Sequence, residues 1–156
     1  MTKKCKAVLD VLAGKTLATA ESCTGGGIGA ALTAVSGASS VYKGGIISYC
    51  NEIKHHLLAV PEEMLEHFGA VSAPVAKAMA EGARKALGAD IAVSVTGLAG
   101  PSGDEFGNPV GTVFIGYADE RHTAFRHFVF TGEREQVRQK AIDAALNLIL
   151  EENNGR

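Results

Sequence analysis

Ser22 stands between a short run of small residues, Thr16-Leu17-Ala18-Thr19-Ala20, and the triplet Gly25-Gly26-Gly27. A serine in that position can project from a tight turn, with the backbone N–H groups of Thr24, Gly25 and Gly26 converging beside it. Acyl transfer needs this combination: a nucleophile, donors for the oxyanion, and the dipole of a following helix behind them. The competing reading is that Ser22 or Thr24 simply caps that helix, a common use of either residue.

Lys54 is the second candidate. With Asn51 as N-cap, it becomes the third helical residue, at the positive end of the dipole, where lysine weakens a helix. Like-signed potential and burial both lower an amine pKa, which a general base for serine requires. Tyr49, at the end of the preceding strand, is placed to relay a proton between them. The plain alternatives are a solvated lysine and a strand aromatic half in the core. Cys23 offers a rival nucleophile, but no histidine pairs with it by motif.

Other chemistries fit less well. His55, His56, His67, His122 and His127 form no HExxH pattern, and adjacent helical residues diverge, so no metal site is expected. Gly25-x-Gly27-x-x-Ala30 imitates a dinucleotide fingerprint. The acidic residue expected about 20 positions on is missing, since the next strand ends Ser48-Tyr49-Cys50. No Gly-Lys-Ser/Thr follows either, so no nucleotide cofactor is expected. Arg134 and Arg138 lie four apart at the start of the last helix and suit an anion such as phosphate. Otherwise they belong to an exposed face, with Glu133 and Glu135 as partners.

The elements that must position these residues are legible. Residues 3–13 have helical apolar spacing and stop at Gly14. The run at 16–20 reads as a buried strand, followed by the glycine turn and a helix over 28–35. Residues 44–49 form a second strand, 52–58 a helix capped by Asn51, and Pro61-Glu62-Glu63 opens a short one. A longer helix runs from Ser72 to Leu87 and closes at Gly88. Ile91–Val95 is the third strand, with a glycine-rich loop after it. Residues 110–117 and 123–130 read as an antiparallel hairpin, and a last helix reaches Leu150. The expected fold is α/β: one domain over 1–156, with a mixed sheet of parallel core strands plus a C-terminal antiparallel hairpin, flanked by helices. Ligands in such folds gather outside the carboxyl ends of the parallel strands, where the three loops fall.

The 156 residues suit one domain, and 46% apolar residues can supply a core. A net charge of −2 gives no basic excess for nucleic acid. No run approaches the roughly 20 apolar residues of a membrane span, and no export signal is expected. Three cysteines without CxxC spacing suit a reducing cytoplasm.

Six segments together resemble one family, the CinA C-terminal domain. They are Ala20-Glu21-Ser22-Cys23-Thr24-Gly25-Gly26, Gly45-Ile46-Ile47-Ser48-Tyr49-Cys50-Asn51-Glu52-Ile53-Lys54, and Gly69-Ala70-Val71-Ser72. Ser94 to Pro101, Pro109 to Val113, and Gly132-Glu133-Arg134 with Arg138 complete the set, in order over roughly residues 5 to 150. Cys50 departs from the pattern, which has a serine or small residue there. Members of the family include nicotinamide-nucleotide amidohydrolases, which deamidate nicotinamide mononucleotide to nicotinate mononucleotide and ammonia in pyridine nucleotide salvage. The larger architecture carries a further N-terminal domain, and this chain resembles the stand-alone amidase. The resemblance implies a metal-free serine amidohydrolase with Ser22 as nucleophile and Tyr49 and Lys54 as the activating pair. Thr24, Gly25 and Gly26 become the oxyanion turn. Gly45, Thr96, Gly97, Ala99 and Gly100 become substrate-lining residues, with Arg134 or Arg138 on the 5′-phosphate. A homo-oligomer, a dimer, is the expected assembly, with no nucleic-acid or membrane partner. Two rivals stand beside this reading: a non-catalytic nucleotide-binding or regulatory domain, and an amidase for another carboxamide.

Overall fold

The first three strands are paired in parallel and bring their carboxyl ends to one edge of a five-stranded sheet. In the computed structural model, which describes residues 1–155, the chain runs α1 (Thr2–Val11), β1 (Leu17–Glu21), α2 (Gly27–Thr33), β2 (Tyr42–Ile47), α3 (Asn51–Leu58) and α4 (Glu62–Phe68). It continues through α5 (Ala73–Leu87), β3 (Ile91–Gly97), β4 (Thr112–Ala118), β5 (Thr123–Val129) and α6 (Arg134–Asn153). The strand order is β2-β1-β3-β4-β5. β1 pairs in parallel with β2 and β3, while β4 and β5 add an antiparallel edge. The expected mixed α/β sheet is therefore present.

Burial explains the order. β1 is buried along its whole length and β3 along all but its last residue, as strands covered on both faces must be. β2 and β5, at the edges, alternate or stay exposed. One face is covered by α1, α2 and α6, whose Val8, Leu9, Ile28, Leu32, Ala145 and Leu148 pack on Leu17, Val93 and Val95. On the other face α5 lays Val75, Met79 and Ala83 over Ala18, Ala20 and Ala92, with Leu58 and Leu65 from the shorter helices beside them.

That second face holds the lysine helix in place. A Cβ at Gly82 would stand 1.9 Å from the Leu58 carbonyl oxygen, so only glycine lets α5 and the end of α3 approach this closely. Leu58 is 1% exposed, and truncating it to alanine costs about 2–5 kcal/mol and loosens α3 with it. The structure also moves a boundary. Cys50, in extended backbone, is the N-cap of α3, and Asn51 is its first helical residue. Lys54 is consequently the fourth helical residue, one place later than expected.

Candidate active site

β1 ends at Glu21, and Ser22 follows with its N–H held by the Val95 carbonyl at 3.0 Å. The chain then turns through residues 22–26, using positive φ at Gly25 (58°) and Gly26 (99°), where a side chain would be strained. Gly25 N–H bonds the Ser22 carbonyl at 3.0 Å and Gly27 N–H the Thr24 carbonyl at 2.9 Å. Gly25 therefore supplies no donor to a ligand, contrary to the oxyanion role expected of it. Nor does Ser22 or Thr24 cap α2. The cap is the buried Glu21 carboxylate, which accepts from Ile28 N–H at 2.9 Å, Gly29 N–H at 3.1 Å and the Thr24 hydroxyl at 2.6 Å. This also explains why the glycine pattern is no dinucleotide site: the helix N–H groups that would meet a pyrophosphate already hold a carboxylate.

Lys54 arrives from the other side. Its Nζ lies 3.2 Å from Ser22 Oγ and donates to the Ser48 carbonyl at 2.8 Å. The side chain is 2% exposed, and no carboxylate of the described residues pairs with it. Burial pulls its amine below the ordinary lysine range, against weaker opposing pulls from Cys50 and Cys23. Cys23 goes the other way: burial pushes its thiol up to about 11, so it stays protonated and is a poor nucleophile beside Ser22.

Tyr49 does not bridge the pair in this structure. It is 62% exposed, and its hydroxyl accepts from Arg134 Nη2 at 2.9 Å. The contact between Ser22 and Lys54 is direct. Arg134 also donates to the Gly100 carbonyl at 2.6 Å, tying the loop after β3 to the start of α6. Arg138 points elsewhere: Nε bonds the Cys23 carbonyl at 3.0 Å and Nη2 the Thr24 carbonyl at 3.2 Å. The helix start between these arginines is closed as well, by a capping box of Glu133 and Gln136.

Ser22, Cys23, Tyr49, Lys54, Thr96, Gly97, Ala99, Gly100 and Arg134 line one cleft of about 460 Å³, together with Asn51, Leu98 and Pro101. Thr96 contributes a wall but not a donor, because its hydroxyl bonds the Ala70 carbonyl at 2.7 Å. Gly45 is not in the cleft. It sits mid-strand in β2, paired with Thr19 and packed against that hydroxyl. A larger cavity of about 820 Å³ adjoins, sharing Asn51, Ala70, Val71 and Leu98, and is rimmed by Glu52, Glu62, Glu66, Asp104 and Glu105. It contains neither the serine nor the lysine, so the chemistry belongs to the smaller space. Among the described residues no cluster of His, Cys, Asp or Glu could hold a metal ion, and no helix is long and apolar enough to cross a membrane.

A family model described as the CinA C-terminal domain matches residues 2–153. The chain belongs to the CinA family. A CinA superfamily protein from Escherichia coli has the same fold, with a TM-score of 0.94 and 34% identity over 96% of this chain and 88% of that one. A competence/damage-inducible protein from Agrobacterium tumefaciens matches at 0.94 and 34%, over 98% and 95%. A CinA-like protein of Synechococcus sp. (strain RCC307) is 52% identical over 137 residues, 86% of this chain and 33% of that protein. A CinA-like protein of Endomicrobium trichonymphae is 47% identical over 135 residues, 86% and 32%. The chain spans about a third of the length of the curated relatives it matches.

Two functional groups escaped the sequence reading. The Ser48 carbonyl that holds Lys54 is a backbone atom and leaves no trace in residue type. Glu21 carried a signal, a lone charge ending an apolar strand, whose meaning depends on the helix N-terminus folding back over it.

Proposed function

We propose that this protein is a serine amidohydrolase that deamidates nicotinamide mononucleotide to nicotinate mononucleotide and ammonia. The observation that carries the reading is the 3.2 Å contact between Ser22 Oγ and the buried Lys54 amine, which pairs with no carboxylate among the described residues. Resemblance to nicotinamide-nucleotide amidohydrolases supplies the substrate.

The steps follow from the geometry. Neutral Lys54 keeps one N–H on the Ser48 carbonyl and offers its lone pair to the Ser22 hydroxyl proton. As that proton moves to Nζ, Oγ bonds the carboxamide carbon and the carbonyl π pair becomes an oxyanion facing the turn's N–H groups. Collapse breaks the C–N bond, and the proton on Lys54 leaves with the nitrogen as ammonia. Water then gives its proton to Lys54 and attacks the acyl-enzyme. Ser22 recovers that proton as the product departs as a carboxylic acid, which releases its own proton to solvent. Arg134 is the cation that lines the cleft and serves the substrate phosphate, with Tyr49 as its neighbour at the mouth.

Purified protein incubated with nicotinamide mononucleotide should release ammonia, and nicotinamide and nicotinamide riboside should react far more slowly. Saturable binding of the nucleotide without ammonia release would replace this reading with the non-catalytic nucleotide-binding one. Turnover of unrelated carboxamides alone would move the substrate, leaving the Ser22–Lys54 chemistry in place.

A further inference from the structure

Two side chains, Glu21 and Arg138, brace the Ser22 turn and the helix after it, and Arg138 also meets Glu135 at 3.2 Å. Glu21 is 2% exposed, and its carboxylate holds the Thr24 hydroxyl and the N–H groups of Ile28 and Gly29. Arg138 comes from α6, more than a hundred residues away in the chain, and grips the carbonyls of Cys23 and Thr24 with Nε and Nη2. A Cβ at Gly25 would lie 3.6 Å from that guanidinium, so the turn and the arginine are in van der Waals range.

Peptide planarity converts these contacts into donor directions. In a trans peptide the C=O and N–H point opposite ways. The Ser22 carbonyl is turned onto Gly25 N–H, which directs the Cys23 N–H away from that bond. The Cys23 carbonyl is turned onto Arg138 Nε, which directs the Thr24 N–H away from Arg138. Cys23 lines the cleft next to Ser22, so its N–H is at hand for a charge that develops on a carbonyl attacked by Ser22.

We propose that Glu21 and Arg138 are positioning residues that clamp the nucleophile turn, keeping the Cys23 N–H group at the cleft aimed at the oxyanion, and that Arg138 is not an anion ligand. The proposal rests on the serine amidohydrolase reading and adds what aligns its donors. The same glutamate reaches the base: its backbone carbonyl accepts from Ser48 N–H at 2.7 Å, and Ser48 in turn accepts from Lys54. One residue thereby links the helix behind the nucleophile to the strand end that holds the lysine. Glu21→Gln sets an amide donor among three donors that need acceptors, so the turn must shift.

A fluorophosphonate probe tests this without assuming the substrate, because its phosphorylation of serine also loads charge onto an oxygen in the oxyanion site. The rate of Ser22 labelling is measured on folded wild-type protein and on Glu21→Gln, Arg138→Met and Arg138→Lys, with circular dichroism and thermal unfolding as fold checks. Arg138 is one-third exposed, so its variants are the ones expected to fold even if Glu21→Gln does not. Labelling should fall about tenfold or more in Arg138→Met and Glu21→Gln, with Arg138→Lys recovering part of the loss through one restored carbonyl contact. The acidic limb of the pH–rate profile should keep its midpoint, because Lys54 is untouched. With nicotinamide mononucleotide, kcat should fall while KM stays. Wild-type labelling rates in folded Arg138→Met, or a rise in KM at constant kcat, would overturn the clamp and return Arg138 to the anion. Failure of wild-type protein to label at Ser22 would remove the amidohydrolase reading and the clamp with it.

Discussion

The Ser48 carbonyl accepts a hydrogen bond from Lys54 Nζ at 2.8 Å, and so fixes the lysine against the end of β2 while its remaining valence faces Ser22. A single backbone acceptor suits a neutral amine, which has two N–H donors and one lone pair. It is poor company for an ammonium ion in a site 2% exposed, where a carboxylate is the usual partner. The position of Lys54 and its lowered pKa thus have one cause. Ser48, the residue just past β2, holds the lysine beside the serine in a buried position.

Ser22→Ala should abolish ammonia release, by about a thousandfold or more, with the fold unchanged. Ser22→Cys should retain a trace, since a thiol there meets the same amine. The check is steady-state ammonia production beside far-UV circular dichroism. Near wild-type turnover in the alanine variant would sink Ser22 as the nucleophile.

Activity should rise with pH along an acidic limb, because the base works only as free amine. Burial lowers the Lys54 pKa from its ordinary value near 10.4, so the midpoint of that limb should lie below it. Lys54→Arg should be inactive at every pH tested, since a guanidinium keeps its proton throughout this range. A pH–rate profile of kcat/KM for both proteins decides it. An active arginine variant would mean that position 54 supplies charge alone.

Much of this was legible in the letters. The glycine triplet after a short strand marks the Ser22 turn, and the run of small residues at 16–20 marks a buried strand in a parallel core. What residue types could not give was the use of individual hydrogen bonds. Gly25 looked like a donor to substrate, but its N–H closes the turn on Ser22. Arg134 and Arg138 looked equivalent at helical spacing, yet one faces the cleft and the other the backbone of the turn. Tyr49 follows β2 closely enough to suggest a relay, and its side chain instead leaves the sheet edge for Arg134. Each outcome depends on a partner dozens of residues away.

Arg134→Ala should weaken phosphate recognition specifically. A charge-assisted hydrogen bond is worth about 1.5–3 kcal/mol, which predicts roughly a ten- to hundredfold rise in KM for nicotinamide mononucleotide with kcat little changed. The arginine also ties Gly100 and Tyr49 together, so a loosened loop alone could raise KM. Comparison with nicotinamide riboside separates the causes. Loss of phosphate binding affects only the nucleotide, whereas a loosened loop lowers kcat/KM equally for both.

Lys54→Met should cost all activity and make the protein more stable at neutral pH. The folded-state pKa of Lys54 lies below its unfolded value, so between the two the unfolded chain binds more protons. Wild-type stability therefore climbs as pH rises through that window. The penalty for burying the ammonium is fully present below the folded pKa and gone above about 10.4. Methionine matches the length and apolar stem of lysine without that penalty, though the Ser48 carbonyl loses its donor and returns part of the gain. A net increase of about 1 kcal/mol near pH 7 is expected, shrinking or reversing toward pH 10. Urea unfolding of both proteins across pH 6–10 gives the difference directly. A difference that does not change with pH would mean that Lys54 has the same pKa folded and unfolded, leaving the serine without a base.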